Sequence, residues 1–385
     1  MKVLIISHTY ISAINRDKWK VLAQRHPDIT LTVVFPTQWE NILFSYDIKQ
    51  PELDQEKMSN CSFLAIPAYN IGNEVRYCYH TKKLLTLLKD CKPDLVHVEQ
   101  GATALSFAQV ILCCKFLRLK PRFTFFTWIN WRPQKSLGDL VFWNFVRRWN
   151  LRNVHGGFTG NHDAAKILQE DGFTKPICVL PQLGISLKKF HPAPPTEKNN
   201  SKRIGYVGRL VPEKGVHLLL KAFDQVSRSH PDWELVFVGR GPEQAMLHES
   251  IHDLGLSKRV TIINPVPHEE VANLMRSFSL FVLPPCDTPG WKEQFGHVLI
   301  EAMACGIPIL ASNAGEIPNV VGDAGIIFEQ KNLEDLTQKL AHLIKDSALR
   351  ETLAQAGLKR VEKFYSHEAI ADATYNFWKT INSLG

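Results

Sequence analysis

RIGYVGRLVPEKGVHLLLKAF, residues 203–223, passes from a short apolar run through a turn containing glycine and proline into a helical repeat. The apolar face of that repeat is Val216, Leu219, Leu220 and Phe223, spaced to bury one side of a helix. Strand, turn and helix in this order form the unit from which helix-covered parallel sheets are built. Downstream of the run at 203–208, further apolar runs follow at 234–239, 260–263, 279–283, 307–311 and 325–328. Upstream they stand at 2–7, 30–35, 62–66, 94–98, 123–127, 155–159 and 177–180, mostly separated by helical patterns. The alternation predicts an α/β fold of two doubly wound, Rossmann-like domains with helices on both sheet faces. Residues 191–202, HPAPPTEKNNSK, carry prolines and polar groups without apolar period and read as an interdomain linker. The expected domains are therefore 1–190 and 203–365, and a helix at about 366–385 is expected to pack back on the first. Ligands of such sheets bind beyond the strand carboxyl ends, and two such domains facing each other would enclose a central cleft.

Two stretches of the second domain carry chemistry. In 203–223, Gly208 and Arg209 lie at the strand end and Lys214 at the expected helix start. Arg209 presents a planar fork to two phosphate oxygens and Lys214 a compact positive charge, so the pair suits a pyrophosphate. Taken alone, both also fit a solvent-facing loop. The second stretch is WKEQFGHVLIEAMACG, 291–306. If a helix starts near Gly296, the amides of Phe295, Gly296 and His297 fall at its mouth, where the helix dipole favours a phosphate. Glu293 precedes that mouth and Glu301 lies in the second turn, placed to accept hydrogen bonds from hydroxyls on either side of a diphosphate. The plainer alternative is an acidic residue before a helix and an exposed Glu on it. No Asp-x-Asp pair suggests a metal-bridged diphosphate, so a metal-independent site without cofactor is expected.

Charge is unevenly held. Residues 1–200 contain 26 Lys and Arg against 16 Asp and Glu, a net +10, and the remainder 19 against 22, a net −3. KKLLTLLKDCK (82–92), CCKFLRLKPRF (113–123) and VFWNFVRRWNLR (141–152) mix basic with apolar side chains. They suit an anionic membrane surface or an anionic lipid-linked acceptor, or are ordinary amphipathic helices with a solvated basic face. Nucleic acid is not an expected partner, because no recognition motif accompanies the charge. Eight cysteines without a C-x-x-C pair indicate neither zinc nor a disulfide framework and fit a reduced cytosol. The opening MKVLIISHTY is too short for a signal-peptide core, and the longest nearly apolar stretch, 102–114, cannot span a bilayer. A cytoplasmic protein, peripheral at most on the inner membrane face, is expected.

GRLVPEKG (208–215), FVGRGPE (237–243) and EQFGHVLIEAMACGIPILASNAGEIPNVVGDAGIIF (293–328) together resemble the family-4 retaining glycosyltransferases of the GT-B architecture. VLPQLGISLKKFHP (179–192) is similar to that family's interdomain segment, with Ser186 where an acidic residue is frequent. WKEQFG, HVEQG (97–101) and FFTWIN (125–130) look like the bacterial polysaccharide and glycolipid subtype. The resemblance implies transfer of a sugar, such as a hexosyl group, from a nucleotide-diphosphate donor to a hydroxyl of a glycan or lipid-linked acceptor, with retention. It implies that Glu293 contacts sugar hydroxyls, Glu301 the ribose, the amides around Gly296, His297 and Val298 the phosphate or sugar, and Arg209 and Lys214 the diphosphate. Glu293, Arg209 and Lys214 are thus the catalytic candidates. A sugar-nucleotide epimerase or hydrolase, or a non-catalytic sugar-nucleotide-binding protein, would share much of this set.

The first domain departs from the family pattern. The first strand leads into SHTYISAINRDKW (7–19) where a glycine pair is usual, and Trp128, Ile129 and Asn130 stand where a histidine often follows. His8, Glu99, Trp128 and Asn130, at or just after strand ends, are the candidates for acceptor binding or sugar orientation. Each also has a plain reading: capping for His8 and Asn130, core for Trp128, a solvated carboxylate for Glu99.

Overall fold

The computed structural model describes residues 1–40, 48–52, 58–132, 137–194 and 201–383. The chain divides into two compact units, Met1–Gly184 with His367–Gly385, and Ile185–Ser366.

The first unit is built on seven strands, β1 Lys2–Ile6, β2 Thr30–Pro36, β3 Cys61–Ile66, β4 Leu95–Val98, β5 Arg122–Thr127, β6 Gly156–Thr159 and β7 Ile177–Val179. They form one sheet in the order β7-β6-β5-β4-β1-β2-β3, every pair parallel. Successive side chains of a strand point to opposite faces, so β1 feeds two cores. Leu4 and Ile6 join Phe107, Val110 and Ile111 on one face, whereas Val3 and Ile5 join Trp19, Leu22 and Trp378 on the other. Trp378 belongs to the helix His367–Ser383, whose indole stacks on Trp19 at 5.5 Å and packs that helix on Asp17–Arg25. Two short antiparallel pairs, Trp39–Glu40 with Ile48–Lys49 and Ala68–Tyr69 with Cys78–Tyr79, were not legible as apolar runs.

The second unit carries β8 Arg203–Val207, β9 Glu234–Val238, β10 Val260–Ile263, β11 Leu280–Leu283, β12 Ile309–Ser312 and β13 Gly325–Phe328. Their order is β10-β9-β8-β11-β12-β13, again all parallel. In both sheets the winding reverses direction once, between β1 and β4 and between β8 and β11. Loops leaving the two strands at such a switch point diverge over opposite faces and open a crevice at the carboxyl ends, which is where ligands of doubly wound sheets sit.

The division falls at Gly184/Ile185, earlier than the expected boundary at 190. Ile185 is buried, bridges to Ser366, and donates its amide to the Tyr365 carbonyl, while Phe190 is buried in the same unit. Apolar side chains in a segment without regular period thus bind it to the second unit. Of the expected linker, 195–200 lies outside the described residues.

Candidate functional site

The turn after β8 and the loop after β11 meet at the second unit's switch point. Lys214 closes a short 3-10 turn, Pro212–Lys214, and the helix proper begins at Val216, so Lys214 stands before the helix start that the sequence suggested for it. Gly215 between them has φ +68°, and a Cβ there would lie 2.0 Å from the Pro284 carbonyl oxygen. Only glycine lets the two loops approach this closely. The approach brings the Lys214 ammonium to 2.5 Å from Glu293 Oε2 and to 4.9 Å from the centre of the Trp291 ring. Both charged side chains are largely buried, with 15% and 10% of their surfaces exposed.

Glu293 is fixed from behind. Its carbonyl accepts the Glu316 amide at 3.1 Å, and Gly315, at φ +49°, passes so near that a Cβ would be 2.0 Å from that oxygen. The turn after β12 thereby braces the loop after β11. Gly296, at φ +78°, caps the helix His297–Ala304, and Phe295 is buried beneath it. The amides of His297 and Val298 open that helix, where no residue one turn earlier can accept them. Burial pulls the His297 imidazole down to about 4, leaving it neutral, and pushes the half-buried Glu301 carboxyl up to about 7. Arg209, by contrast, is exposed and makes only a loose 3.9 Å approach to Glu213. Its carbonyl accepts the buried Tyr206 hydroxyl at 2.7 Å, so the backbone is held while the guanidinium stays exposed to solvent. Gly208, next to it, donates its amide to Val238 at the end of β9.

The structure thus brings Lys214 and Glu293 into contact, beside a helix mouth whose second turn carries Glu301. Trp291, Gly315 and Glu316 complete the arrangement and were not singled out in the sequence. The signal was present: NAGEIP follows an apolar run as WKEQFG does, and two loops at neighbouring strand ends must meet.

In the first unit Gln182 joins two of the four candidates, Glu99 and Trp128. Glu99 is neither solvated nor open to a ligand. Lys18 Nζ lies 2.6 Å from Oε1 and His97 Nε2 3.3 Å from it, while Oε2 accepts Gln182 at 3.0 Å and the Tyr10 hydroxyl. Burial raises this carboxyl, but the Lys18 charge and the His97 contact outweigh it and hold it at about 2. Burial lowers Lys18 below the usual lysine range. A carboxylate buried this deeply persists only when paired and hydrogen-bonded, and here both oxygens are engaged. Trp128 donates its indole N–H to Gln182 Oε1 at 3.0 Å, which ties it to the same network, and it covers Gly160, where a Cβ would overlap the ring. Asn130 is buried. His8 opens the 3-10 turn His8–Ile11, stacks on Trp39 at 4.3 Å, and places Nε2 3.4 Å from Glu74. Its ring also meets Tyr77 edge-on at 6.3 Å.

Residues 188–360 match the family described as Glycosyl transferases group 1. This segment is a group 1 glycosyltransferase domain. It contains the whole Arg209, Lys214, Glu293 and Glu301 set. The chain is 30% identical over 245 residues to the GDP-mannose-dependent monoacylated alpha-(1-6)-phosphatidylinositol monomannoside mannosyltransferase of Corynebacterium glutamicum, covering 60% of each. It is 30% identical over 184 residues to the capsular polysaccharide biosynthesis glycosyltransferase CapM of Staphylococcus aureus, covering 47% of each. The chain thus spans about half to three-fifths of the length of these curated relatives. Among solved structures, Anabaena HepE in complex with UDP and glucose superposes with a TM-score of 0.68 over 99% of this chain and 100% of that one, at 16% identity. The fold is GT-B, two parallel-sheet Rossmann-like domains.

Proposed function

We propose that the protein transfers a sugar from a nucleotide-diphosphate donor to a hydroxyl of a glycan or lipid-linked acceptor, in glycolipid or polysaccharide synthesis. The observation that carries this reading is the Lys214–Glu293 contact at the switch point of the group 1 domain, beside the mouth of the helix His297–Ala304. A cation and two first-turn amides suit a diphosphate, and a carboxylate held beside them suits the hydroxyls of the sugar. The names of the relatives support the same donor and product classes.

No carboxylate of the site is free of another duty, which favours substitution on one face of the sugar. The bond from the anomeric carbon to the diphosphate oxygen breaks, the acceptor oxygen bonds to that carbon on the same side, and the acceptor proton passes to the departing oxygen. Lys214, Arg209 and the helix mouth stabilise the charge that develops on the diphosphate, so that no metal is required. Glu293 orients the sugar, and Glu301 the ribose. Acceptor recognition falls to the first unit, with His8 and Asn130 as its candidates. Among the described residues no helix is long and apolar enough to cross a membrane. Contact with an anionic inner membrane face is part of the proposal.

The test is turnover of a panel of nucleotide-diphosphate sugars with lipid and glycan acceptors, with and without a chelator, reading the product's anomeric configuration by NMR. A retained linkage formed in chelator supports the proposal. An inverted product, or turnover that ceases with chelator and returns with a divalent ion, overturns the corresponding part.

A further inference from the structure

One face of the first unit is apolar and basic at once. On the helix Leu105–Phe116, Leu112 and Phe116 stand one turn apart and are 53% and 76% exposed. On the neighbouring helix Leu137–Asn153, Val141, Phe142 and Phe145 are 74%, 52% and 67% exposed. Large apolar side chains normally lose most of their surface on folding, and five gathered on two packed helices mark a contact surface rather than scattered exposure. The Lys115 ammonium, 4.5 Å over the Trp149 ring, joins the two helices across their seam.

Arg148 and Arg152 continue the line of Val141 and Phe145 down the same helix face, at intervals of three and four residues. Arg147, on the adjoining face, is consumed by Asp171. Neither Arg148 nor Arg152 has an ion-pair partner among the described residues. Both line a groove of about 430 Å³ together with Val141, Asn144, Phe145 and Trp149. Residues 100–162 contain nine Lys or Arg and a single acidic residue, Asp139, and the Glu170 and Asp171 carboxylates that line an adjoining cavity with Arg148 and Arg152 are paired with Arg132 and Arg147.

We propose that this two-helix face docks the protein on an anionic lipid surface, with Phe116, Val141 and Phe145 entering the headgroup boundary and Arg148 and Arg152 binding lipid phosphates. The combination of an apolar row with unpaired guanidiniums is that of an interfacial helix. Charge argues against a second copy of the chain as occupant, because a self-complementary contact would set this basic segment against itself. The proposal rests on the membrane part of the function above and names the surface for it. Docking here would hold the strand end that carries Trp128 and Asn130 near acceptors embedded in the bilayer.

The test uses the full chain and vesicles, and needs neither donor nor turnover, so that its failure leaves the transferase reading standing. Cosedimentation is measured with vesicles of equal parts phosphatidylcholine and phosphatidylglycerol, and with phosphatidylcholine alone. Binding to the anionic vesicles only, weakening with salt, is expected. Each basic side chain at an anionic surface contributes about 1 kcal/mol, so Arg148→Ala with Arg152→Ala weakens binding about 30-fold. Phe116→Ser with Phe145→Ser weakens it while the thermal transition stays in place, since both side chains are exposed. No binding to anionic vesicles, equal binding by the variants, or a dimer in solution that the phenylalanine variant dissolves would each overturn the proposal.

Discussion

Lys214 and Glu293 make the sharpest energetic prediction, because each is largely buried and each is the other's charged partner at 2.5 Å. Lys214→Met keeps the stem's volume but leaves the carboxylate without its cation, and Glu293→Gln leaves the ammonium without its anion. Breaking a fully buried pair costs about 3–5 kcal/mol. The residual exposure of both side chains admits water and lowers that to about 2–3 kcal/mol for each single variant. The double variant Lys214→Met, Glu293→Gln has no stranded charge, so its cost falls short of the sum of the singles. The shortfall is the coupling, about 1.5–3 kcal/mol for a charge-assisted hydrogen bond. Urea unfolding of the four proteins, read on the transition of the second unit, gives the cycle directly. Additivity within about 0.5 kcal/mol would mean that the two groups do not act on each other, and the reasoning from their contact would be refuted.

Three further outcomes follow from the same arguments. Glu99 is held at about 2, well below an unfolded glutamate, so its stabilisation is complete above about pH 4.5 and is lost as pH falls toward 2; Glu99→Gln should cost about 3–5 kcal/mol at pH 7 and flatten the acid limb of a stability–pH curve. A variant curve parallel to wild type would contradict the buried pairing with Lys18. Glu301 is displaced the other way, to about 7, so the folded state binds its proton more tightly and stability falls as pH rises from about 4.5 to 7. Glu301→Gln should therefore be more stable than wild type at pH 8, by about 1–2 kcal/mol once its partial exposure is discounted, while losing donor affinity; thermal melts at pH 5 and 8 read the sign. Gly215→Ala combines a left-handed backbone with a Cβ 2.0 Å from the Pro284 oxygen, so it should cost about 2 kcal/mol or more and weaken nucleotide binding by forcing Lys214 from Glu293, whereas unchanged melting would sink the close-approach argument.

The parallel sheets were legible because their strands are buried on both faces and read as apolar runs. All thirteen runs are strands, most ending within a residue or two of the expected limits. The two short antiparallel pairs were missed because two-residue strands such as Ala68–Tyr69 carry no period. The boundary at 184 was missed for a related reason: Ile185 and Phe190 are anchored by tertiary burial, which local composition does not encode. At the site, sequence spacing singled out candidates in the 203–223 and 291–306 stretches. It could not tell which of them touch. Contact depends on β8 and β11 lying side by side as parallel neighbours, and that pairing sets Lys214 against Glu293 while leaving Arg209 exposed. Glu99 shows the limit most plainly. Its place after a strand end suggested a cleft residue, but Lys18, eighty-one positions earlier, and Gln182, eighty-three later, enclose it.

Nucleoside diphosphate binding, measured by titration calorimetry on the full chain and on Arg209→Ala and Lys214→Met, bears most directly on a diphosphate held in the second unit. The account predicts that at least one of UDP and GDP binds without divalent ion and that each substitution weakens it about tenfold or more, as the loss of a charge-assisted bond requires. Undiminished binding by both variants, or no nucleotide binding by the wild-type chain, would contradict it.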